Sequence, residues 1–231
     1  MKRLVLFDID GTILISDGAP RRAFHRALLE VYGTAGPIAT HTFDGKTDPQ
    51  IARELLAQAG LPPAAVDRGL PALWSSYLRE LSAEFARPTH RMTVLPGIRA
   101  LLDALEAQRS DVLLGLLTGN IREGATLKLS SAGIRTAFRV GAFGSDCEQR
   151  DGLPPVAVAR ALEATGITFS RSDIVIIGDT PSDVTCGSGV GARAIGVATG
   201  RHHADDLRAA GATAVFTDLS DTTDVLATIL A

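Results

Sequence analysis

Cysteine is scarce in this chain of 231 residues, which contains only Cys147 and Cys186. Two cysteines so far apart exclude a disulfide framework and a four-cysteine zinc site, and they favour free thiols in a reducing compartment. Long apolar runs are missing too, because the first one, from Leu4 to Phe7, stops at Asp8. It is too short for a signal peptide, and no later run reaches membrane-spanning length. We therefore expect a cytoplasmic protein without a membrane partner.

An excess of either charge is also missing. The 23 basic and 26 acidic residues give a net charge of −3, which provides no basic surface for nucleic acid. Hydrophobic residues make up 45% of the chain, enough for a sizeable core. The length predicts one large domain or two of unequal size.

Short continuous apolar runs separated by helical patterns are typical of a doubly wound, Rossmann-like α/β core. Continuous apolar strands are covered on both faces, as in parallel sheets. The predicted strands are Arg3–Phe7, Val112–Leu117, Ile174–Ile177, Ala194–Ala198 and Ala214–Phe216, with a further one within Phe138–Phe143. The predicted helices between them are Gly97–Gln108, Ile121–Ala132, Pro154–Thr165, Asp183–Gly189 and Ala204–Ala210.

Residues 17–87 interrupt this alternation with helical patterns alone. An insertion of about seventy residues is far longer than an ordinary strand–helix loop. We predict an all-helical second domain at 17–87, inserted into a core formed by 1–16 and 88–231. The linkers would be Ile15–Gly18 and Arg87–Pro96, and the helices would be Pro20–Tyr32, Pro49–Ala59 and Pro63–Ala86.

Carboxylates follow the first predicted strand directly, in FDIDGTIL, which contains Asp8 and Asp10. An unpaired buried carboxylate is costly, so something at this strand end should compensate for the charge. Two further strands end in polar groups, Thr118-Gly119-Asn120 in LLTGN and Asp179 and Asp183 in IVIIGDTPSD. Ligands of open parallel sheets bind outside the carboxyl ends of the strands, so neighbouring strands would bring these groups to one spot.

The chemistry of such a cluster fits a magnesium ion next to a phosphate. Mg²⁺ prefers oxygen ligands, here Asp8, Asp179 and the backbone around Asp10, and it would offset their repulsion. The hydroxyl and free N–H groups of Thr118-Gly119-Asn120 would bind an anion at a helix start. Asp8 could then attack phosphorus and form an aspartyl-phosphate. Asp10 could protonate the leaving alkoxide and later activate water.

FDIDGTIL, LLTGN and IIGDTPSDV, in this order and with a helical insertion after the first, resemble the haloacid dehalogenase-like hydrolases with an inserted helical cap. The resemblance covers nearly the whole chain. It implies Asp8 as nucleophile, Asp10 as general acid and base, and Thr118 as a phosphate ligand. It also implies a Mg²⁺ site formed by Asp8, Asp10 and Asp179, with Asp183 supporting the metal shell.

One position departs from the family pattern. The family usually has a Lys, followed by Pro, before the helix that precedes the last motif, and this chain has no Lys after Lys128. The cation in the matching region is Arg150, which can hold a phosphate through its planar fork. Lys128 is the other candidate, but at 1.5 Å per residue it lies roughly 10 Å or more along its helix, so we expect Arg150 to take the role.

Several of these residues have structural alternatives. Asp183 closes a capping box with Thr180, which can coexist with a role near the metal. Asn120 has the position of an N-cap residue, and Arg150 could be a solvated surface side chain. In FDGKTDPQ, Thr47 or Asp48 would cap the helix that Pro49 opens, and Lys46 could project toward an anionic substrate or lie in solvent.

The second acid separates the branches of the family that the chain resembles. Dehalogenating members lack the carboxylate of Asp10, and a leaving alkoxide needs a proton where a halide does not. The cap placement resembles phosphoglycolate phosphatases and β-phosphoglucomutases, and the mutases carry a His where this chain has Pro20-Arg21-Arg22. We expect a Mg²⁺-dependent phosphatase of a small phosphorylated metabolite, acting as a monomer or homodimer. Three alternatives remain: mutase-type phosphoryl transfer, a non-catalytic phosphate-binding or phospho-acceptor switch, and a catalytically weakened interaction protein.

Overall fold

The computed structural model describes residues 3–136 and 138–231. In chain order its strands are β1 (Arg3–Phe7), β2 (Leu14–Ile15), β3 (Thr93–Val94), β4 (Val112–Thr118), β5 (Val140–Phe143), β6 (Ile174–Gly178), β7 (Arg193–Val197) and β8 (Ala214–Phe216). Its helices are α1 (Ala19–Tyr32), α2 (Asp48–Gln58), α3 (Pro63–Phe85), α4 (Ile98–Ala107), α5 (Arg122–Ser131), α6 (Leu153–Thr165), α7 (Pro181–Cys186), α8 (Ala204–Ala209) and α9 (Thr222–Leu230).

Six of the strands form one parallel sheet in the order β5-β4-β1-β6-β7-β8. The strand β1 is central, and its Leu4 pairs with Leu113 on one side and Ile174 on the other. Because β4 and β6 both border β1, the carboxyl ends that carry the predicted site residues lie side by side. This arrangement is the one that the sequence predicts.

Helices cover both faces of the sheet, which confirms the doubly wound α/β fold. Val5 and Phe7 of β1 face a cluster with α4, α5 and α9. Leu4 and Leu6 face the opposite cluster, which includes residues of α6 and α7. All four side chains are fully buried, as expected for a central strand.

The helices α1, α2 and α3 share a separate hydrophobic cluster. Its members include Phe24, Leu28, Leu55, Leu73 and Tyr77. We call residues 17–87 the helical insertion, and its status as an independent domain stays a prediction. The two predicted linkers contact each other, because β2 and β3 pair in an antiparallel manner between the insertion and the sheet.

Some boundaries differ from the predicted ones. The predicted helix Asp183–Gly189 is α7 followed by a 3₁₀ turn at Gly187–Val190, where glycines weaken α-helix formation. The last helix, α9, is absent from the prediction because its β-branched sequence is a weak helix former. It forms because Asp221 caps its start and Val225 and Ile229 are buried. No described helix is both long and apolar enough for a membrane span.

Candidate active site

Three carboxylates meet at the carboxyl ends of β1 and β6. Asp8, Asp179 and Asp183 are buried, and each offers an oxygen within 4.8 Å of the others. Burial raises the pKa of Asp8, and the positive charge of Arg150 opposes this effect. Burial also raises the pKa of Asp179, and the negative charges of Asp183 and Asp8 raise it further. A buried, all-oxygen, repelling cluster is the donor set that a hard divalent cation such as Mg²⁺ fits.

The surroundings of Asp179 leave no room for other side chains. A Cβ at Gly11 would lie 2.3 Å from Asp179 Oδ2, and Gly11 has a φ of 84°, so both space and conformation require glycine there. The buried Thr12 hydroxyl donates to Asp179 Oδ1 at 3.1 Å. Thr12 has no role among the sequence-based expectations, although it stands within the same motif as Asp8 and Asp10.

Asp183 has the structural role considered above as well as its place in the cluster. Its Oδ2 accepts from the Thr180 N–H at 3.0 Å, and its own N–H donates to Thr180 Oγ1 at 3.2 Å. This is the predicted capping box at the start of α7. Its other oxygen, Oδ1, forms an ion pair with Arg150.

Arg150 is a buried residue of the site, so its reading as a solvated surface side chain is wrong. Its side chain is 8% exposed, and Nη2 lies 3.1 Å from Asp8 Oδ1. The same nitrogen bonds Asp183, and both acids raise the pKa of Arg150 against the effect of its burial. Arg150 therefore neutralises part of the carboxylate cluster.

Lys128 also reaches the site, and our expectation that it lies too far along its helix is wrong. Its Nζ lies 2.6 Å from Asp10 Oδ2 and 2.6 Å from Asn120 Oδ1, and the side chain is 3% exposed. Helix side chains tilt toward the N terminus, and the four-carbon stem spans the remaining distance. The Asp10 carboxylate is bound to this pair and is not in the cluster of three, so the metal contact predicted for Asp10 stays a prediction.

The predicted anion loop lines the same cavity as these two cations. Thr118 is fully buried, and its Oγ1 accepts from Asn120 Nδ2 at 2.7 Å. Asn120 also donates to Asp10 Oδ2 at 2.7 Å. The N-cap position of α5 belongs to Ile121, which forms no side-chain cap, so Asn120 is not the capping residue that its position suggested.

The loop before α2 closes over this part of the site. Thr47 caps α2 by accepting from the Gln50 N–H, which leaves the carboxylate of Asp48 free. Asp48 Oδ2 accepts instead from the Ile121 N–H at 2.8 Å. Burial raises the pKa of Asp48 to about 6, against the opposing effect of the Lys128 charge. Neither the motif patterns nor the periodicity pointed to Asp48 as a contact across the site.

One cavity of ≈ 260 Å³ joins these groups to the helical insertion. Its floor carries Asp8, Asp10 and Asp179 together with the Thr118 loop and the two cations, Lys128 and Arg150. Its roof includes Arg21, Lys46 and aromatic side chains. Lys46 is ion-paired with Glu54, so it lines the cavity without being free. The aromatic lining residues are Phe24, Phe43 and Tyr77.

A family model for haloacid dehalogenase-like hydrolases matches residues 5–197, most of the chain. The chain belongs to this family. It therefore has the family's fold and is a hydrolase, as the sequence motifs predict. The matched range includes all of the clustered acids, both buried cations and the helical insertion.

Named relatives of this hydrolase are phosphatases. It is 29% identical over 221 residues to the phosphoglycolate phosphatase of Pseudomonas putida, covering 95% of this chain and 78% of that one. It is 27% identical to the phosphoglycolate phosphatase of Rhodospirillum rubrum, covering 98% and 91%. The crystal structure of a hydrolase from Pseudomonas syringae superposes with a TM-score of 0.73 at 19% identity, covering 99% of both chains. This last likeness concerns the fold.

Proposed function

We propose that this haloacid dehalogenase-like phosphatase uses Mg²⁺ to hydrolyse a small, anionic phosphate monoester through a phosphorylated Asp8. The observation that carries the proposal is the buried cluster of Asp8, Asp179 and Asp183, of which Asp8 and Asp179 line one cavity together with Thr118. Two buried cations, Arg150 and Lys128, border the same cavity. A cavity that holds an acidic metal site and cationic side chains suits a phosphoryl group.

The cluster of Asp8, Asp179 and Asp183 would hold the magnesium ion, which when bound would neutralise charge on the phosphoryl oxygens. A carboxylate oxygen of Asp8 attacks phosphorus, and the bond from phosphorus to the ester oxygen breaks. Asp10 gives its proton to the departing alkoxide. Asp10 then accepts a proton from water, whose oxygen attacks phosphorus, so that phosphate leaves and Asp8 is regenerated.

The other polar groups would position the phosphoryl group and Asp10. Thr118 and the N–H groups of its loop would hold phosphoryl oxygens. Lys128 and Asn120 fix the orientation of the Asp10 carboxylate through direct hydrogen bonds. Arg150 would stabilise the negative charge around Asp8. It would thereby take the role of the lysine that the family usually has in that region.

Phosphoglycolate is the first substrate to test. The cavity is small, its roof carries cationic groups from Arg21 and Lys46, and the named relatives are phosphoglycolate phosphatases. A mutase would need a proton-transferring His at the start of α1, but His25 is exposed and is not among the lining residues of the cavity. The geometry therefore favours hydrolysis over transfer between two positions of a sugar.

The proposal is tested by phosphate release from a panel of monoesters with and without Mg²⁺. The panel contains phosphoglycolate, glycerol 3-phosphate, glucose 6-phosphate, β-glucose 1-phosphate and p-nitrophenyl phosphate. We expect release that requires Mg²⁺, stops on chelation and is fastest with phosphoglycolate. Conversion of β-glucose 1-phosphate to glucose 6-phosphate without phosphate release would identify a mutase. No turnover of any ester would leave a phosphate-binding protein as the better interpretation.

A cytoplasmic location is part of the same proposal. Both cysteines are free thiols, and Cys186 is buried against the Asp183 carbonyl. Burial raises the pKa of Cys186 to about 12, so it is an inert thiol rather than a reactive one. Two unpaired cysteines fit a reducing compartment.

A further inference from the structure

The N-cap residue of helix α5 provides no side-chain hydrogen bond to the helix, although this helix carries Lys128, which bonds Asp10. Its N-cap residue, Ile121, has an aliphatic side chain that accepts no hydrogen bond. Asn120, one residue earlier, uses its side chain on Thr118, Asp10 and Lys128. The first N–H groups of a helix need an acceptor from elsewhere when the local side chains supply none.

Two acceptors from outside the helix bond its first N–H groups: Ser145 Oγ of the core accepts from the Arg122 N–H at 3.3 Å, and the Ile121 N–H is bonded from the helical insertion. Asp48 Oδ2 accepts from the Ile121 N–H at 2.8 Å, and the Asp48 N–H donates to the Gly119 carbonyl at 2.7 Å. Asp48 therefore binds both sides of the turn that connects β4 to α5. It is free to do so because Thr47, its neighbour, caps α2.

The residues around Asp48 pack directly against the core next to these hydrogen bonds. A Cβ at Gly119 would lie 2.1 Å from the Lys46 carbonyl oxygen, and one at Gly45 would lie 2.5 Å from Ser182 Oγ. Thr47 Oγ1 donates to the Glu148 carbonyl at 2.6 Å. Residues 45–48, which we call the docking loop, thus rest on three separate core segments, and glycines allow the approach.

We infer that Asp48 is a positioning residue that caps α5 from the docking loop and thereby holds Lys128 and Asp10 in their catalytic arrangement. The inference rests on the proposed function, because it concerns the general acid of that reaction. It couples the docking of the helical insertion to the order of α5, so that Asp10 is correctly oriented only when residues 45–48 lie on the core.

The test is amide hydrogen exchange measured residue by residue by NMR, in parallel with steady-state kinetics. Asp48→Ala should accelerate exchange of the Ile121 N–H and its neighbours by about tenfold, because an N-cap acceptor is lost. It should lower kcat, with a smaller change in KM, since Asp10 and Lys128 act on the chemical step. Asp48→Asn keeps an oxygen acceptor and should restore most of the protection and of kcat.

Asp221→Ala is the matched control, because Asp221 caps α9 within its own helix by accepting from the Asp224 N–H at 3.0 Å. It should loosen the start of α9 and leave Ile121 exchange and kcat unchanged. Gly119→Ala should reproduce the exchange signature of Asp48→Ala, because the added methyl displaces the docking loop.

Two outcomes would overturn the inference. One is unchanged Ile121 exchange in Asp48→Ala. The other is faster exchange spread evenly over the central strands, which would mean that Asp48 merely contributes to global stability. The exchange readout is independent of turnover, so an inactive wild type would refute the proposed function while leaving the capping role of Asp48 to be judged on exchange alone.

Discussion

The floor and the roof of the cavity place their charges by different means. On the floor, Asp8 and Arg150 are each 8% exposed and pair with each other, and Arg150 also pairs with the buried Asp183 behind them. On the roof, the Lys46 side chain is 27% exposed, and its partner Glu54, on α2, is 33% exposed. Short acids at strand ends are held by the sheet, whereas the roof charges depend on long side chains.

This difference predicts separate roles for the floor and the roof of the cavity. Buried charges act through a low dielectric and are strong, so the floor suits bond breaking. Half-exposed charges are screened and worth less, so the roof suits recognition of the substrate. Substitutions on the floor should therefore reduce kcat or stability strongly, and substitutions on the roof should mainly raise KM.

The largest effect is expected from Asp8→Asn. The amide is isosteric but cannot attack phosphorus, so hydrolysis of p-nitrophenyl phosphate should fall by about 10³-fold or more. Asp67→Asn, on an exposed ion pair with Arg53, serves as the control and should keep wild-type turnover. Undiminished turnover by Asp8→Asn would exclude the covalent mechanism.

The two buried cations should separate activity from stability. Lys128→Met keeps the buried stem and removes the partner of the half-exposed Asp10, so kcat should fall about 10²-fold with little loss of stability. Arg150→Met leaves Asp8 and Asp183 without their cation, which should lower the free energy of unfolding by about 3 kcal/mol.

Thermal and urea unfolding with and without Mg²⁺ measure this contrast. Added Mg²⁺ should recover much of the stability of Arg150→Met, because the ion would neutralise the same carboxylates. Equal stability losses in Arg150→Met and Lys128→Met would contradict the separate roles assigned to the two cations.

The stabilising effect of Mg²⁺ should increase with pH. Burial raises the pKa of both Asp8 and Asp179, so without metal the folded chain holds protons that the unfolded chain has released above about pH 4. The contribution of these groups to the free energy of unfolding therefore falls as pH rises. Because Mg²⁺ binds the ionised acids, its increase of Tm should be larger at about pH 8 than at about pH 5. An increase that is independent of pH would count against these acids as the ligands.

The smallest effects are expected on the roof. Arg21→Ala and Lys46→Ala should each raise KM for phosphoglycolate about threefold to tenfold and leave kcat nearly unchanged, because both contacts are partly screened. The same variants should change KM for p-nitrophenyl phosphate less, since that ester has no carboxylate. A large fall in kcat would place these residues with the floor.

The floor follows closely from the sequence. Continuous apolar strands indicate a parallel sheet, and neighbouring strands bring their polar ends together, so Asp8, Thr118 and Asp179 were expected at one spot from their motifs. The same local logic found the capping box of Asp183. Asp8, Thr118 and Asp179 lie in their strand or one position after it, and Asp183 lies three positions after Thr180, its partner in the capping box, which is why pattern and spacing sufficed.

The contacts made across long sequence separations could not be read this way. Lys128 and Asp10 are 118 positions apart, and their hydrogen bond depends on the direction of one long side chain and on where α5 packs. Asp48 reaches Ile121 across 73 positions, and only the docking of the helical insertion brings the two together.

By itself, the amino-acid sequence determined the doubly wound sheet, the helical insertion and the acids at the strand ends, because hydrophobic periodicity and turn chemistry act over a few residues. The tertiary structure alone decided that Arg150 pairs with Asp183 as well as Asp8, that Lys128 pairs with Asp10, and that Asp48 caps α5. These pairings arise from packing between segments that are distant in the chain. Patterns of neighbouring residues do not specify which distant side chains meet.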